Sequence, residues 1–326
     1  MKYLNYLFMF FVGFFPILSS AHVSYVINKD EMVNAAGKNP EYLGHALSNP
    51  TNWILMGVTA LLVLVLAIFC NNNKSISNFF IKIKDKLSSY HELIPWIIRL
   101  ALGISLLGAG VSGVLISPTY TDAHVFSLIQ TVLGFFFLAG FLLVPTTLVA
   151  IFIFLYGVLT NAYLIGNMDF LVLAVSFLVF HSARPGVDDI FGISMFKFIK
   201  IPRKYLAIIL RLGLGFAFIY LALYEKLLNP GFSDLVVSQY NLTSLVPVDP
   251  SMWVLSAGLV ELLLGVLIVI GFYTRTVAFV AFLVISLTFF YFKEAVYSHV
   301  TLFSALAILA IEGGGLWSVD KKLEGK

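Results

Sequence analysis

Charge is scarce in this chain. Asp, Glu, Lys and Arg make up only 11% of its 326 residues, 60% are hydrophobic, and mean hydropathy is +0.96. That balance excludes an ordinary soluble domain and reads as a polytopic membrane protein. Cysteine is nearly absent as well: Cys70 stands alone, which excludes an intramolecular disulfide framework, a CxxC redox pair and a CxxCH haem attachment site. No flavin, haem or iron–sulfur ligation motif is present, so redox chemistry would need electrons from another subunit or a diffusible donor. The net charge of +3 carries no nucleic-acid meaning, because the lysines cluster in loops beside apolar spans rather than on a basic face. No two of the six histidines have the close helical spacing of a metal motif. A metal site would therefore need long-range convergence.

What is present begins with a leader-like segment. Met1 to Ala21 has a lysine at position 2, an apolar run from Tyr6 to Leu18, and Ser19-Ser20-Ala21 as small residues before a cut. This reads as a cleavable signal peptide, with an uncleaved anchor helix as the alternative. Apolar stretches long enough for a hydrocarbon core of roughly 30 Å follow at 53–70, 94–116, 124–143, 145–164, 168–183, 206–228, 252–272, 275–292 and 298–317. Lysine and arginine concentrate in 71–93, 184–205 and the C-terminal tail. The positive-inside rule then predicts a cell-membrane protein with its mature N-terminus extracytoplasmic and its C-terminus cytoplasmic. His22, His45, His124 and His299 fall on the predicted outer side. A chain cut after Ala21 begins with His22, whose amine and ring nitrogen together suit one Cu(II) ion.

The second half of the chain repeats the first. Arg99-Leu100-Ala101-Leu102-Gly103 aligns with Arg211-Leu212-Gly213-Leu214-Gly215, and the register holds to Pro118 against Pro230. After a loop that is longer in the second copy, a new register pairs Gly134 with Gly265, Gly140-Phe141 with Gly271-Phe272, and Asp189 with Asp320. The second copy has Glu225, Lys226, Glu261 and Arg275 where the first has Gly113, Val114, Gln130 and Val144. An even number of spans per copy makes these parallel repeats. The expected fold is all-α: two tandem parallel four-helix bundles, in units 94–204 and 205–326, plus one extra transmembrane helix with a basic loop in 53–93 and an extracytoplasmic segment 22–52.

The pattern Leu210-Arg211-Leu212-Gly213-Leu214-Gly215, Tyr224-Glu225-Lys226-Leu227-Leu228-Asn229-Pro230, Glu261-Leu262-Leu263-Leu264-Gly265 and Gly271-Phe272-Tyr273-Thr274-Arg275 resembles the DoxX/DoxD group of four-helix membrane proteins. The likeness covers 206–320 well and 94–189 only as a degenerate relative. It implies a family named for a membrane subunit of thiosulfate:quinone oxidoreductase, many of whose members have no assigned reaction.

Glu261 falls near mid-membrane, where an ionised carboxylate costs at least a few kcal/mol unless protonated or paired. Arg211 is the expected partner, with Gln130 and Arg99 in the equivalent places of the first copy; the guanidinium could instead turn back to the membrane surface. The two form either a structural ion pair or the catalytic core of a pocket for a quinone head group or a proton relay. Glu225, Lys226 and Arg275 are candidate substrate-binding residues. Adjacent on a regular helix, Glu225 and Lys226 point about 100° apart and need share no partner. By position alone Lys226 reads as a snorkelling anchor and Arg275 as a charge at a tight inner turn.

Three functions compete: a quinone-linked oxidoreductase subunit served by an electron-donating partner; a non-enzymatic membrane scaffold or assembly factor with 22–52 as a docking or copper-handling arm; and a small-solute transporter. The lipid bilayer is a partner in all three, and nucleic acid in none.

Overall fold

A computed structural model describes residues 22–27, 31–32, 34, 41–54, 57–58, 61, 82–83, 85–120, 124–180, 185–192 and 201–324. The leader 1–21, Cys70, most of the expected span 53–70 and residues 71–81 and 84 of the basic loop lie outside these. The helices within them are α1 (Val23–Val26), α2 (Glu41–Ser48), α3 (Ile94–Val111), α4 (His124–Ala139), α5 (Leu143–Thr160), α6 (Met168–Phe180), α7 (Val187–Ile190), α8 (Leu206–Leu221), α9 (Pro230–Gln239), α10 (Pro250–Ile270), α11 (Thr274–Phe292), α12 (Val296–Glu312) and α13 (Val319–Glu324). No strand occurs among the described residues.

Six helices are long and apolar enough to cross a membrane: Asp85–Val111, Leu143–Thr160, Ala162–Phe180, Arg203–Leu228, Pro250–Ile270 and Thr274–Phe292, with Val125–Ala139 and Val296–Glu312 shorter but apolar. These eight coincide with eight of the expected spans. Large apolar side chains such as Val125, Leu128, Phe152, Leu159 and Phe290 stand exposed on them, as a lipid-facing surface requires and a water-facing one would not tolerate. The protein is an all-α, multi-pass membrane protein.

The chain divides into two compact units that each draw on both halves of the sequence. One comprises 1–86, 218–267 and 276–294; the other comprises 87–217, 268–275 and 295–326. In the second of these, α3 packs on α4, α6 and α12 around Leu102, Leu106, Phe137, Phe177, Leu306 and Leu309, all fully buried. The Phe137 and Phe177 rings meet edge to face, the geometry their quadrupoles favour.

Two turns of this unit have the same construction. Gly140 and Gly271 take φ of +75° and +67°, and Leu142 and Tyr273 follow at +46° and +49°. The backbone N–H groups of Leu142 and Leu143 donate to the Asp188 carboxylate, and those of Tyr273 and Thr274 donate to Asp320. In return the N–H groups of Asp188 and Asp320 donate to the carbonyls of Gly140 and Gly271. The counterpart of Asp320 by contact is thus Asp188, one residue before the Asp189 that the sequence register selects. An arginine finishes each turn: Arg99 donates to the carbonyls of Phe137, Leu138 and Pro185, and Arg211 to those of Gly314 and Trp317.

In the other unit the N-terminal segment is part of the packing. Val23, Ile27, Leu43 and Ala46 are buried, and α1 lies on α9. Tyr42 donates its hydroxyl to Asp234, and Gln239 donates to Glu31 at 2.6 Å. Burial and the Asp234 carboxylate raise the Tyr42 hydroxyl pKa above its usual range.

Candidate functional site

Among the described residues of the unit built from 1–86, 218–267 and 276–294, the buried charges are Glu225, Lys226, Glu261 and Glu294. Their convergence starts with a local irregularity. Helix α8 runs on into a π-helical segment, Ala222–Leu228, whose extra residue per turn changes the direction of every side chain on it. Asn229 then stops the helix, donating from its amide to the Tyr224 carbonyl at 2.8 Å. Ser233 of α9 donates its hydroxyl to the Glu225 carbonyl at 3.1 Å. Both bonds satisfy carbonyls that a helix end leaves without intrahelical partners.

The result is a chain of charged contacts. Lys226 Nζ lies 2.7 Å from Glu261 Oε2 and 3.4 Å from Glu225 Oε2, with all three side chains at most 1% exposed. The other Glu225 oxygen, Oε1, faces the N-terminal segment, 3.2 Å from His22 Nδ1 and 3.3 Å from the backbone N–H of Val23. His22 is itself buried, at 6% exposure. The sequence 203 positions away therefore closes one side of the network. Carboxylates so deeply buried cost several kcal/mol each unless a cation and further donors compensate them, and Lys226 serves two at once.

This arrangement corrects three expectations. Glu261 does not pair with Arg211: its cation is Lys226, while Arg211 belongs to the other compact unit and caps the carbonyls after α12. The loop that follows α12 turns carbonyls inward that need donors, and a guanidinium with a fixed fork of N–H groups supplies two. Glu225 and Lys226, expected to point apart, meet each other within the π-helical segment, 3.4 Å from Oε2 to Nζ. Lys226 is not an anchor at the membrane surface, since it is fully buried. Arg275 lies in the same unit as Arg211 and donates to the Ala310 and Glu312 carbonyls, again at the end of α12. Of the five residues singled out beside His22, the structure thus brings together Glu261, Lys226 and Glu225.

Gln130, opposite Glu261 in the repeat register, receives the Ile116 N–H and donates to the Val114 carbonyl at 2.8 and 2.9 Å. Val114 is the position opposite Lys226. The same two register positions are in contact in both halves, through a neutral amide in one and an ion pair in the other.

Glu294 escaped sequence reasoning because an acid two residues beyond an apolar helix looks solvated. It is 9% exposed. Burial pushes its carboxyl up to about 7, with the Glu225 charge reinforcing and His22 opposing the rise. Folding favours the protonated acid, so its stabilising contribution is complete below the ordinary value of 4.5 and disappears as pH rises through 7. We expect the thermal midpoint in detergent to fall between about pH 5 and pH 8, a change worth about 3 kcal/mol at most. Glu294→Gln should flatten that fall; a variant with the wild-type pH profile would remove Glu294 as its source.

Among the described residues no group of three or more His, Cys, Asp or Glu side chains is placed to hold a metal ion. The fold and the site together define a class: an all-helical, multi-pass membrane protein with a buried, lysine-centred ion network. Residues 206–294 match the DoxX family model, so the part of the chain that carries Glu225, Lys226, Glu261 and Glu294 is DoxX-like. No curated protein and no solved structure matches the chain.

Proposed function

We propose that this chain is the membrane subunit of a quinone-linked oxidoreductase, and that the Glu225–Lys226–Glu261 network is its working site. The observation that carries the reading is the 2.7 Å Lys226–Glu261 pair, at most 1% exposed, inside the DoxX-like segment. Intramembrane ionisable groups are costly and serve function by default. An ammonium has three N–H donors; two face carboxylates here, which leaves a third to donate to a carbonyl oxygen of a quinone head group. Glu261, tied to Lys226, can give up or take a proton while its partner compensates the change in charge. A quinone, when bound, supplies two-electron, two-proton redox capacity. Electrons come from a partner subunit, since the chain carries no ligation motif for a redox centre. Arg211 and Arg275 are assigned to holding the turns after α12 rather than to chemistry.

The same reading includes cleavage of the leader after Ala21, an extracytoplasmic mature N-terminus, and descent of both halves from one duplicated unit. Supporting the duplication are the two matching glycine–aspartate turns and the Gln130–Val114 contact opposite Glu261–Lys226. The first copy exchanged its charges for a neutral amide, so one working site remains.

The purified complex should carry a quinone. Glu261→Gln keeps the shape and removes proton exchange, and we expect quinone-coupled turnover to fall on the order of 100-fold while membrane abundance changes less than twofold. Equal loss of protein and turnover would make the pair structural and favour a non-enzymatic scaffold.

A further inference from the structure

The two glycine–aspartate turns of the unit built from 87–217, 268–275 and 295–326 share a carbonyl that their arginines hold. In the first half Arg99 donates to Pro185, three residues before Asp188; in the second Arg211 donates to Trp317, three residues before Asp320. Proline keeps φ near −65°, so the turn itself asks for no left-handed residue at this place. Trp317 nevertheless takes φ +53°, a conformation that costs a residue with a side chain, and it is 76% exposed. Strain on a backbone that turns a large apolar ring out of the fold points to a contact made by the ring.

Cations gather beside it. The Tyr205 ring lies 6.4 Å from the Trp317 ring, and Lys204 Nζ stands 5.2 Å over the Tyr205 ring, within cation–π range. Lys204 is exposed, as are Lys321 and Lys322 on α13, a helix that starts two residues after Trp317. The acids flanking the loop face other donors: Asp320 accepts from Tyr273 and Thr274, and Glu312 from Arg203 and His91. In the repeat register Arg203-Lys204-Tyr205 stands opposite His91-Glu92-Leu93. The first half thus has an exposed acid where the second has the lysine, and a proline where it has the tryptophan.

These groups lie at the end of membrane spans. One span begins at Arg203, and α12 ends at Glu312, five residues before Trp317. Tryptophan and tyrosine settle at the level of lipid headgroups, and lysines there attract anionic lipid. We propose that Lys204, Tyr205 and Trp317 form a headgroup site for an anionic phospholipid of the bilayer. The Lys204 ammonium pairs with the phosphodiester oxygens, the indole N–H donates to the phosphate or to an ester carbonyl, and the two rings cover the glycerol. Lys321 and Lys322 strengthen the attraction without needing contact. A zwitterionic lipid offers the same phosphate but brings an ammonium of its own, which Lys204 repels.

The test uses the full chain purified in mild detergent and depleted of lipid. Dioleoyl-phosphatidylglycerol should bind and raise the thermal midpoint by several degrees. Dioleoyl-phosphatidylcholine should bind more weakly, on the order of tenfold. Lys204→Gln should weaken phosphatidylglycerol binding about fivefold and Lys204→Glu further, with phosphatidylcholine binding unchanged in both. Trp317→Gly removes the ring and relieves the positive φ. In lipid-free detergent its midpoint should equal or exceed that of the wild type, while the rise with phosphatidylglycerol is lost. A Trp317→Gly protein already destabilised in lipid-free detergent makes the ring a packing element and overturns the site. Equal binding of the two lipids overturns it too, as does phosphatidylglycerol binding indifferent to Lys204 and Trp317. A co-purifying protein subunit lost in Trp317→Gly would assign the patch to a protein contact and has the same consequence.

Discussion

Lys226→Met will remove most of the folded protein from the membrane. The substitution deletes the cation that lies 2.7 Å from Glu261 and 3.4 Å from Glu225, and it leaves two carboxylates that are at most 1% exposed without it. Breaking a buried ionic cluster from one side costs about 3–5 kcal/mol, against total stabilities of about 5–15 kcal/mol. The measurement is the monodisperse yield after detergent extraction together with the thermal midpoint. The control that isolates charge from shape is Lys226→Met combined with Glu261→Gln, which removes one cation and one anion and should recover much of the yield. A Lys226→Met protein as abundant and as stable as the wild type would mean that neither carboxylate depends on the ammonium, and the network described above would be wrong.

The second large effect is expected at a turn of the other compact unit. Gly271 sits at φ +67°, and a Cβ placed there would come within 2.3 Å of Arg211 Nη1 and 2.6 Å of Ser318 Cβ. The left-handed backbone alone costs a side-chain-bearing residue about 1–2 kcal/mol. The guanidinium could retreat only by giving up its bonds to Gly314 and Trp317, worth about 1.5–3 kcal/mol where a charged group is a partner. Gly271→Ala should therefore destabilise by about 2.5–5 kcal/mol, read as a fall in thermal midpoint. Adding Arg211→Ala to Gly271→Ala should cost less than the two separate losses summed, since the clash and the lost bonds concern one guanidinium. Strict additivity would show that the glycine is needed for its backbone alone.

The helices were readable in the sequence because long apolar runs bounded by charged or Gly/Pro segments leave little choice in a bilayer, where each backbone group must be satisfied within its own helix. Glu261 was legible for the same reason: one acid in the middle of a 21-residue apolar helix cannot be left uncompensated. Its partner was not. A regular α-helix turns Lys226 and Glu225 apart, and nothing in Ala222–Leu228 announces that the chain widens there; only tertiary packing selects the π-helical path. The register also suggested Arg211, because both charges lie within spans, but a guanidinium near a helix terminus finds free carbonyls before it finds a carboxylate deep in the span. His22 could be singled out as a terminal histidine, yet its contact with Glu225 bridges 203 positions and no local periodicity encodes so distant a meeting. The Asp188 and Asp189 pair shows a smaller limit: two adjacent aspartates satisfy an alignment equally well, and only the geometry of the turn tells which one receives the Leu142 and Leu143 N–H groups.

The packing of α12 against α3 bears on how the ribosome delivers this protein. Among the described residues, helix α3 is the first of the eight apolar helices to emerge, and α12 is the last. Glu312, at the end of α12, receives both His91, just before α3, and Arg203, just before α8, on a single oxygen. These ties cannot form until residue 312 has been made, so α3 waits in the bilayer with one flank provisional while some two hundred residues follow it. During that interval the insertion machinery or a neighbouring chain must shelter the flank. A chain stalled before residue 296 would leave that flank of α3 without α12.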